Sequence, residues 1–137
     1  MSVRFRTSDG LVRVPVIVVV PAGTARLRFI VDPGTARTIL AEEQAVHLGL
    51  TRAASTQRSR IASVLGAEEG YLVRLTGLHA LGWERPDFEV ACHRFAPGAE
   101  VEGLLGADFF AGLVLTIDYA SSTVSLTEPR PTDRRLK

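Results

Sequence analysis

Residues 30–36 read Ile30-Val31-Asp32-Pro33-Gly34-Thr35-Ala36, an apolar run that carries one carboxylate into a proline–glycine turn. An acid at the end of a buried strand is costly unless something uses it. On the residues alone two uses are open. Aspartate at a strand end commonly folds back on its own backbone in an Asx turn. A carboxylate displayed on a tight glycine loop can equally act as a general acid or base.

Outward from this loop the pattern is mostly period two, rich in β-branched residues and punctuated by glycine and proline. Val12 to Val20 reads as a strand, Pro21-Ala22-Gly23-Thr24 as a turn, and Ala25 to Val31 as the returning strand with Leu27, Phe29 and Val31 on one face. Beyond the loop, Thr38-Ile39-Leu40 is extended and Ala41 to Leu48 is a short helix. Glu42 and Glu43 in its first turn, His47 in its last and Gly49 just past it follow the dipole and C-cap preferences. Arg58 to Val64 and Tyr71 to Leu75 are predicted hairpin arms around Leu65-Gly66-Ala67. Further strands are predicted at Leu78 to Leu81 and Phe88 to Cys92, a short helix at Ala107 to Ala111, and a last hairpin from Leu113 to Leu126. Two stretches, "RLRFIVDPGTARTIL" and "FEVACHRFAPGAEVEGLLGADFF", echo each other weakly, each running from strand to glycine corner.

The 137 residues, 46% apolar and 23% charged, suit one globular domain with its own core. We assign that domain to residues 1–127 and read 128–137, with two prolines and a basic end, as a flexible tail. A net charge of +1, with the arginines scattered and Lys137 the one lysine, argues against a nucleic-acid footprint. Cys92 is the single cysteine, which excludes a disulfide framework and a thiolate metal site. His47, His79 and His93 lack metal-ligand spacing, so they read as one helix-end and two partly exposed histidines. Asp118 reads as the polar residue of the final turn. The start "MSVRFRTSDG" lacks the apolar core of a signal peptide, and the run Val16 to Val20 is too short to span a bilayer. A cytoplasmic protein without a membrane segment is the resulting expectation.

Taken in order, "PVIVVV", "FIVDPGTARTIL", "AVHLGL", "IASVLGAEEGYLVRL", "GLLGADFF" and "LVLTIDYASSTVSL" resemble the retropepsin-like aspartic peptidase family, the single-domain, retroviral type. The likeness runs from residue 12 to 126 and is that of a bacterial-type member whose loop reads Asp-Pro-Gly-Thr. It implies a mainly β, single-domain acid-protease barrel with two short helices, working as a twofold homodimer. It implies an aspartic endopeptidase acting on extended polypeptides, with no cofactor and no metal.

The chemistry behind such a family accounts for its geometry. Two carboxylates a few ångströms apart hold one proton between them, so that one activates a water and the other hydrogen-bonds the scissile carbonyl. A chain with one motif must take its second carboxylate from a second copy. By this resemblance Asp32 is the catalytic acid. Gly34 allows backbone to pass close to it, and the Thr35 hydroxyl bonds its outer oxygen. Leu104, Leu105 and Gly106 pack beneath the loop. Ile61, Ser63 and Gly66 belong to a flap over the substrate. Arg37 and Asp108 are the expected ion pair supporting the site. Pro33 departs from the family pattern, which has threonine or serine there with a hydroxyl and an N–H reaching across the axis; proline offers neither. That departure leaves a second reading open, a dimerisation or peptide-binding module of the same fold without turnover.

Overall fold

In the computed structural model of the chain, residues 1–6, 9–55, 57–63 and 66–131 are described, with the backbone alone for 54, 61–63 and 66–68. The strands are β1 (Ser2–Arg4), β2 (Arg13–Val20), β3 (Gly23–Val31), β4 (Ile39–Ala41), β5 (Arg58–Ser63), β6 (Gly66–Ala80), β7 (Trp83–His93), β8 (Gly103–Leu105), β9 (Val114–Asp118) and β10 (Thr123–Thr127). Helix α1 (Glu42–His47) follows β4, a 3-10 turn covers Arg52–Ala54, and helix α2 (Ala107–Phe110) follows β8.

Alternation decides which faces close together. Along β2 the even positions Val14, Val16, Val18 and Val20 are buried, and along β3 Leu27, Phe29 and Val31 are. Period two therefore sends one apolar row from each strand to the same side. The larger sheet runs β2-β3-β8-β4-β7-β6-β5, and β2 pairs again with β6 through Val16↔Ala80 to Val19↔Gly77. That second pairing closes β2, β3, β8, β4, β7 and β6 into a barrel, which removes their free edges. Phe29, Leu40, Tyr71, Leu75, Leu78, Leu105 and Phe109 fill the interior. A small antiparallel sheet, β1-β10-β9, adds Val124 and Leu126 to the same core.

Most expected elements are present, and the differences have local causes. Residues 66–80 form one continuous strand where two were expected, because the ladder to β7 runs unshifted past Gly77. The β6–β7 link is two residues, Leu81 (φ 55) and Gly82 (φ 81), the paired left-handed conformation of a tight hairpin turn. On the β5–β6 hairpin, Ser63 faces Gly66, so Gly66 opens a strand where the sequence placed it in the turn. The residues between them, Val64 and Leu65, lie outside the described residues, as do positions 132–137 of the expected tail. β1 and β8 were not foreseen; three-residue strands are too short to show a period. His93 is 2% exposed, not partly exposed as its sequence context suggested, because it ends β7 where that strand runs parallel to β4. No helix among the described residues is long and apolar enough to cross a membrane.

Candidate active site

β3 delivers Asp32 to the barrel end. The Val31 N–H donates to the Val12 carbonyl at 2.8 Å and the Asp32 N–H to the Leu105 carbonyl at 2.9 Å, so the backbone on both sides of the acid is held by neighbouring segments. The chain then turns. The Thr35 N–H donates to the Asp32 carbonyl at 3.1 Å, closing a four-residue turn with Pro33 at its second position. Proline is favoured there because its locked φ already matches the turn. This is the local use the loop makes of Pro33.

Both oxygens of the Asp32 carboxylate have donors within the turn. The Thr35 hydroxyl donates to Oδ2 at 2.7 Å and the Gly34 N–H to Oδ1 at 3.2 Å. Gly34 has no positive φ, so its need is space: a Cβ there would sit 3.3 Å from Oδ1. The Asx-turn reading is met, since Asp32 folds back on its own turn through the Gly34 N–H, and its carboxylate remains half-buried beside the exposed Pro33 and Gly34.

Beneath the loop lies β8, wedged between β3 and β4 by Ile30↔Leu104, Val31↔Leu105 and Ile39↔Leu104. Leu105 is fully buried. Gly106 meets the loop directly, for a Cβ would come within 2.7 Å of the Thr35 carbonyl oxygen and the Arg37 backbone. Helix α2 starts from this contact, its Ala107 N–H donating to the Thr35 carbonyl at 2.7 Å and its Asp108 N–H to the Ala36 carbonyl at 3.1 Å.

The expected Arg37–Asp108 pair is not made. Asp108 Oδ1 accepts from the Thr38 N–H at 2.8 Å and the Thr38 hydroxyl at 2.7 Å. Arg37 instead donates to Glu89 Oε1 at 2.8 Å on the outside, and Arg74 approaches the other oxygen of Glu89 at 3.6 Å. Arg37 is the last residue of the exposed bend that leaves the loop, and Thr38 is the first of the buried run that leads into β4.

Thr38 escaped the sequence reading. It is fully buried, and its hydroxyl also accepts the Gly106 N–H at 3.1 Å, tying loop, β8 and α2 at one atom. Its only signal was a hydroxyl residue at the head of an apolar triplet. Arg85 of β7 was missed too. It donates to the Phe109 carbonyl at 3.0 and 2.7 Å and to the Ala111 carbonyl at 2.8 Å, capping the C-terminal end of α2.

Of Ile61, Ser63 and Gly66, expected in the flap, the backbone alone is described, and it forms the β5–β6 hairpin. Asp118 sits in the last turn as expected, its Oδ1 accepting the Ala120 and Ser121 N–H groups at 2.9 and 3.1 Å. Those donors hold its carboxyl below the usual carboxylate range. Among the described residues no three His, Cys, Asp or Glu side chains gather as metal ligands. At the loop itself the chain offers one carboxylate, oriented and hydrogen-bonded, and the acid of the supporting helix is committed to Thr38. Such a group can take a proton from water, but an acid to assist the opposite side of the reaction has to come from elsewhere.

A family profile described as "Aspartyl protease" matches residues 14–109. In sequence, no curated protein matches the chain. Among solved structures it is similar to a retropepsin-like aspartic protease from Rickettsia conorii, at 18% identity and a TM-score of 0.70, over 93% of this chain and 91% of that one. It is also similar to the retroviral protease-like domain of Ddi1 from Leishmania major, at 18% identity and a TM-score of 0.56, over 88% of this chain and 97% of that one. At these identities the likeness establishes the fold, a retropepsin-like barrel.

Proposed function

This chain belongs to the aspartyl protease family, and from that membership we propose that it is an aspartic endopeptidase whose site is completed by a second copy. The observation that carries the proposal is the Asp32 turn: one carboxylate gripped by Thr35 and Gly34, next to exposed Pro33 and Gly34. Half a site at an exposed loop is what a twofold assembly would complete. In that dimer two Asp32 carboxylates share a proton across the axis; one takes a proton from a bound water as it attacks the peptide carbonyl, and the other donates to the carbonyl oxygen. The Thr35 hydroxyl and the Gly34 N–H each hold one oxygen of the acid, and each oxygen keeps a further lone pair for the water or the shared proton. Extended substrate suits the hairpin architecture, because β5 is an open sheet edge to which a strand can add.

Asp32→Asn tests this. It removes the charge and keeps the shape, so hydrolysis of an unfolded polypeptide is lost while the folded state remains. Specific activity of the wild type should also fall on dilution as dimers separate. Proteolysis unchanged in Asp32→Asn, or an active monomer at every concentration, would overturn the proposal. Pro33 favours the second reading, a dimerisation or peptide-binding module without turnover. Its distinguishing result is a wild-type dimer that binds an unfolded polypeptide and never cleaves it.

A further inference from the structure

The β5–β6 hairpin leaves the barrel at a defined point. The ladder between β6 and β7 ends with Tyr71↔Cys92, and residues 66–70 of β6 pair with β5 alone. Beyond Tyr71 the chain is therefore a two-stranded arm, and an isolated two-stranded hairpin is marginal in water. Something at its base has to decide its direction.

That base holds a histidine, a glycine and a serine in one row across three strands. His93 is the last residue of β7, its backbone anchored opposite Ala41 in the barrel. Its ring is 2% exposed and lies where a side chain on Gly70 would otherwise be. A Cβ at Gly70 would come within 2.7 Å of the ring atoms Cε1 and Nδ1 and collide with the Cys92 carbonyl. Gly70 is paired in turn with Ser59 on β5, and His93 Nε2 reaches past it to the Ser59 Oγ at 3.1 Å. A barrel residue thus passes over the inner strand of the arm and hydrogen-bonds the outer one. The missing side chain at 70 is the opening that lets it through.

We infer that His93 is a positioning residue that latches the arm at its base through Ser59, and so sets how tightly a polypeptide is held beneath it. The part concerning substrate rests on the endopeptidase reading; the latch itself does not. The His93 ring is buried, so exchanging it risks the fold, whereas Ser59 is a half-buried edge residue whose hydroxyl can be removed alone.

Ser59→Ala is therefore the main variant and Ser59→Thr the conservative one that keeps the hydroxyl. Amide hydrogen exchange followed by mass spectrometry reads the arm directly. Losing one hydrogen bond at the base should speed exchange in residues 58–70 by about fivefold, with the β2–β3 peptides unchanged. In the same variant KM for an unfolded polypeptide should rise by about fivefold with kcat near wild type, and Ser59→Thr should restore both. Unchanged exchange in 58–70, or equal acceleration through the whole barrel, would overturn the latch. Faster arm exchange with an unchanged KM would overturn its role in holding substrate. A wild type that shows no proteolysis while Ser59→Ala still frees the arm would support the latch and remove the endopeptidase reading.

Discussion

Thr35 holds Asp32 from three residues along the chain, its hydroxyl donating to Oδ2 at 2.7 Å inside a turn closed by its own N–H. One residue thus shapes the loop with its backbone and orients the acid with its side chain. Separating the two duties needs a substitution that keeps the shape and removes the hydroxyl.

Thr35→Val does this. A hydrogen bond to a charged group contributes about 1.5–3 kcal/mol, so if the bond acts in the transition state, kcat/KM falls by roughly 10- to 100-fold. Stability changes little, because the half-buried Asp32 carboxylate can turn to water. Thr35→Ser retains the donor and most of the activity. Steady-state kinetics beside a denaturant melt measures both, and a Thr35→Val enzyme as active as wild type would contradict the role given to the hydroxyl.

Thr38→Val should be mainly a stability defect. It leaves the buried Gly106 N–H without its acceptor and takes one of two donors from Asp108. At about 1–3 kcal/mol for the buried N–H left unsatisfied and about 1 kcal/mol for the lost hydrogen bond to Asp108, the loss is roughly 2–4 kcal/mol. Arg37→Ala, which breaks a half-exposed pair with Glu89, costs under about 1 kcal/mol. Urea unfolding of the two variants should rank them in that order. A larger loss for Arg37→Ala would mean that the exterior pair supports the site after all.

Cys92 reports on the core. Burial first, with Glu42 adding and the Tyr71 hydrogen bond opposing, pushes its thiol from 9.0 up to about 12. The folded protein therefore keeps the proton where the unfolded chain releases it. Between those two values the unfolded state binds fewer protons, so stability falls as pH rises through that window. At mildly alkaline pH a thiol reagent should leave the native protein unlabelled and react stoichiometrically in denaturant. Rapid native labelling would show that the base of β7 opens readily.

Pro33→Thr addresses association. Restoring a hydroxyl and an N–H to each chain offers two hydrogen bonds per subunit at about 0.5–1.5 kcal/mol each, against a loss of roughly 0.4–1 kcal/mol of proline rigidity. The expected result is a dimer tighter by about tenfold or more, measured by sedimentation at graded concentrations. A weaker dimer would mean that the interface is built around the proline ring.

The Asp32 turn was legible because everything that shapes it lies within four residues. Proline at the second position, glycine beside the carboxylate and a hydroxyl at the fourth each act over one turn of chain. The strands of the barrel were legible for a related reason, since burial of alternate residues is written as alternate apolar residues wherever a strand is long enough. Where it is not, as in β1 and β8, three residues carry no alternation to read.

By itself, then, the sequence determined the longer barrel strands, the corner at Gly106 and the acid with Gly34 and Thr35 beside it. Only the tertiary structure decided the long-range partners. Arg37 and Thr38 are neighbours, and Asp108 lies 70 residues from Thr38. Which of the two meets it depends on where the chain passes from the exposed bend into the buried run before β4. Thr38 went inward, fully buried, and took Asp108; Arg37 went outward to Glu89. His93 was decided in the same way, hidden because β4 runs beside β7 and because Gly70, on the next strand, leaves room for its ring. Charge and residue type tell what a side chain can pair with, but the packing of distant segments tells what it will face.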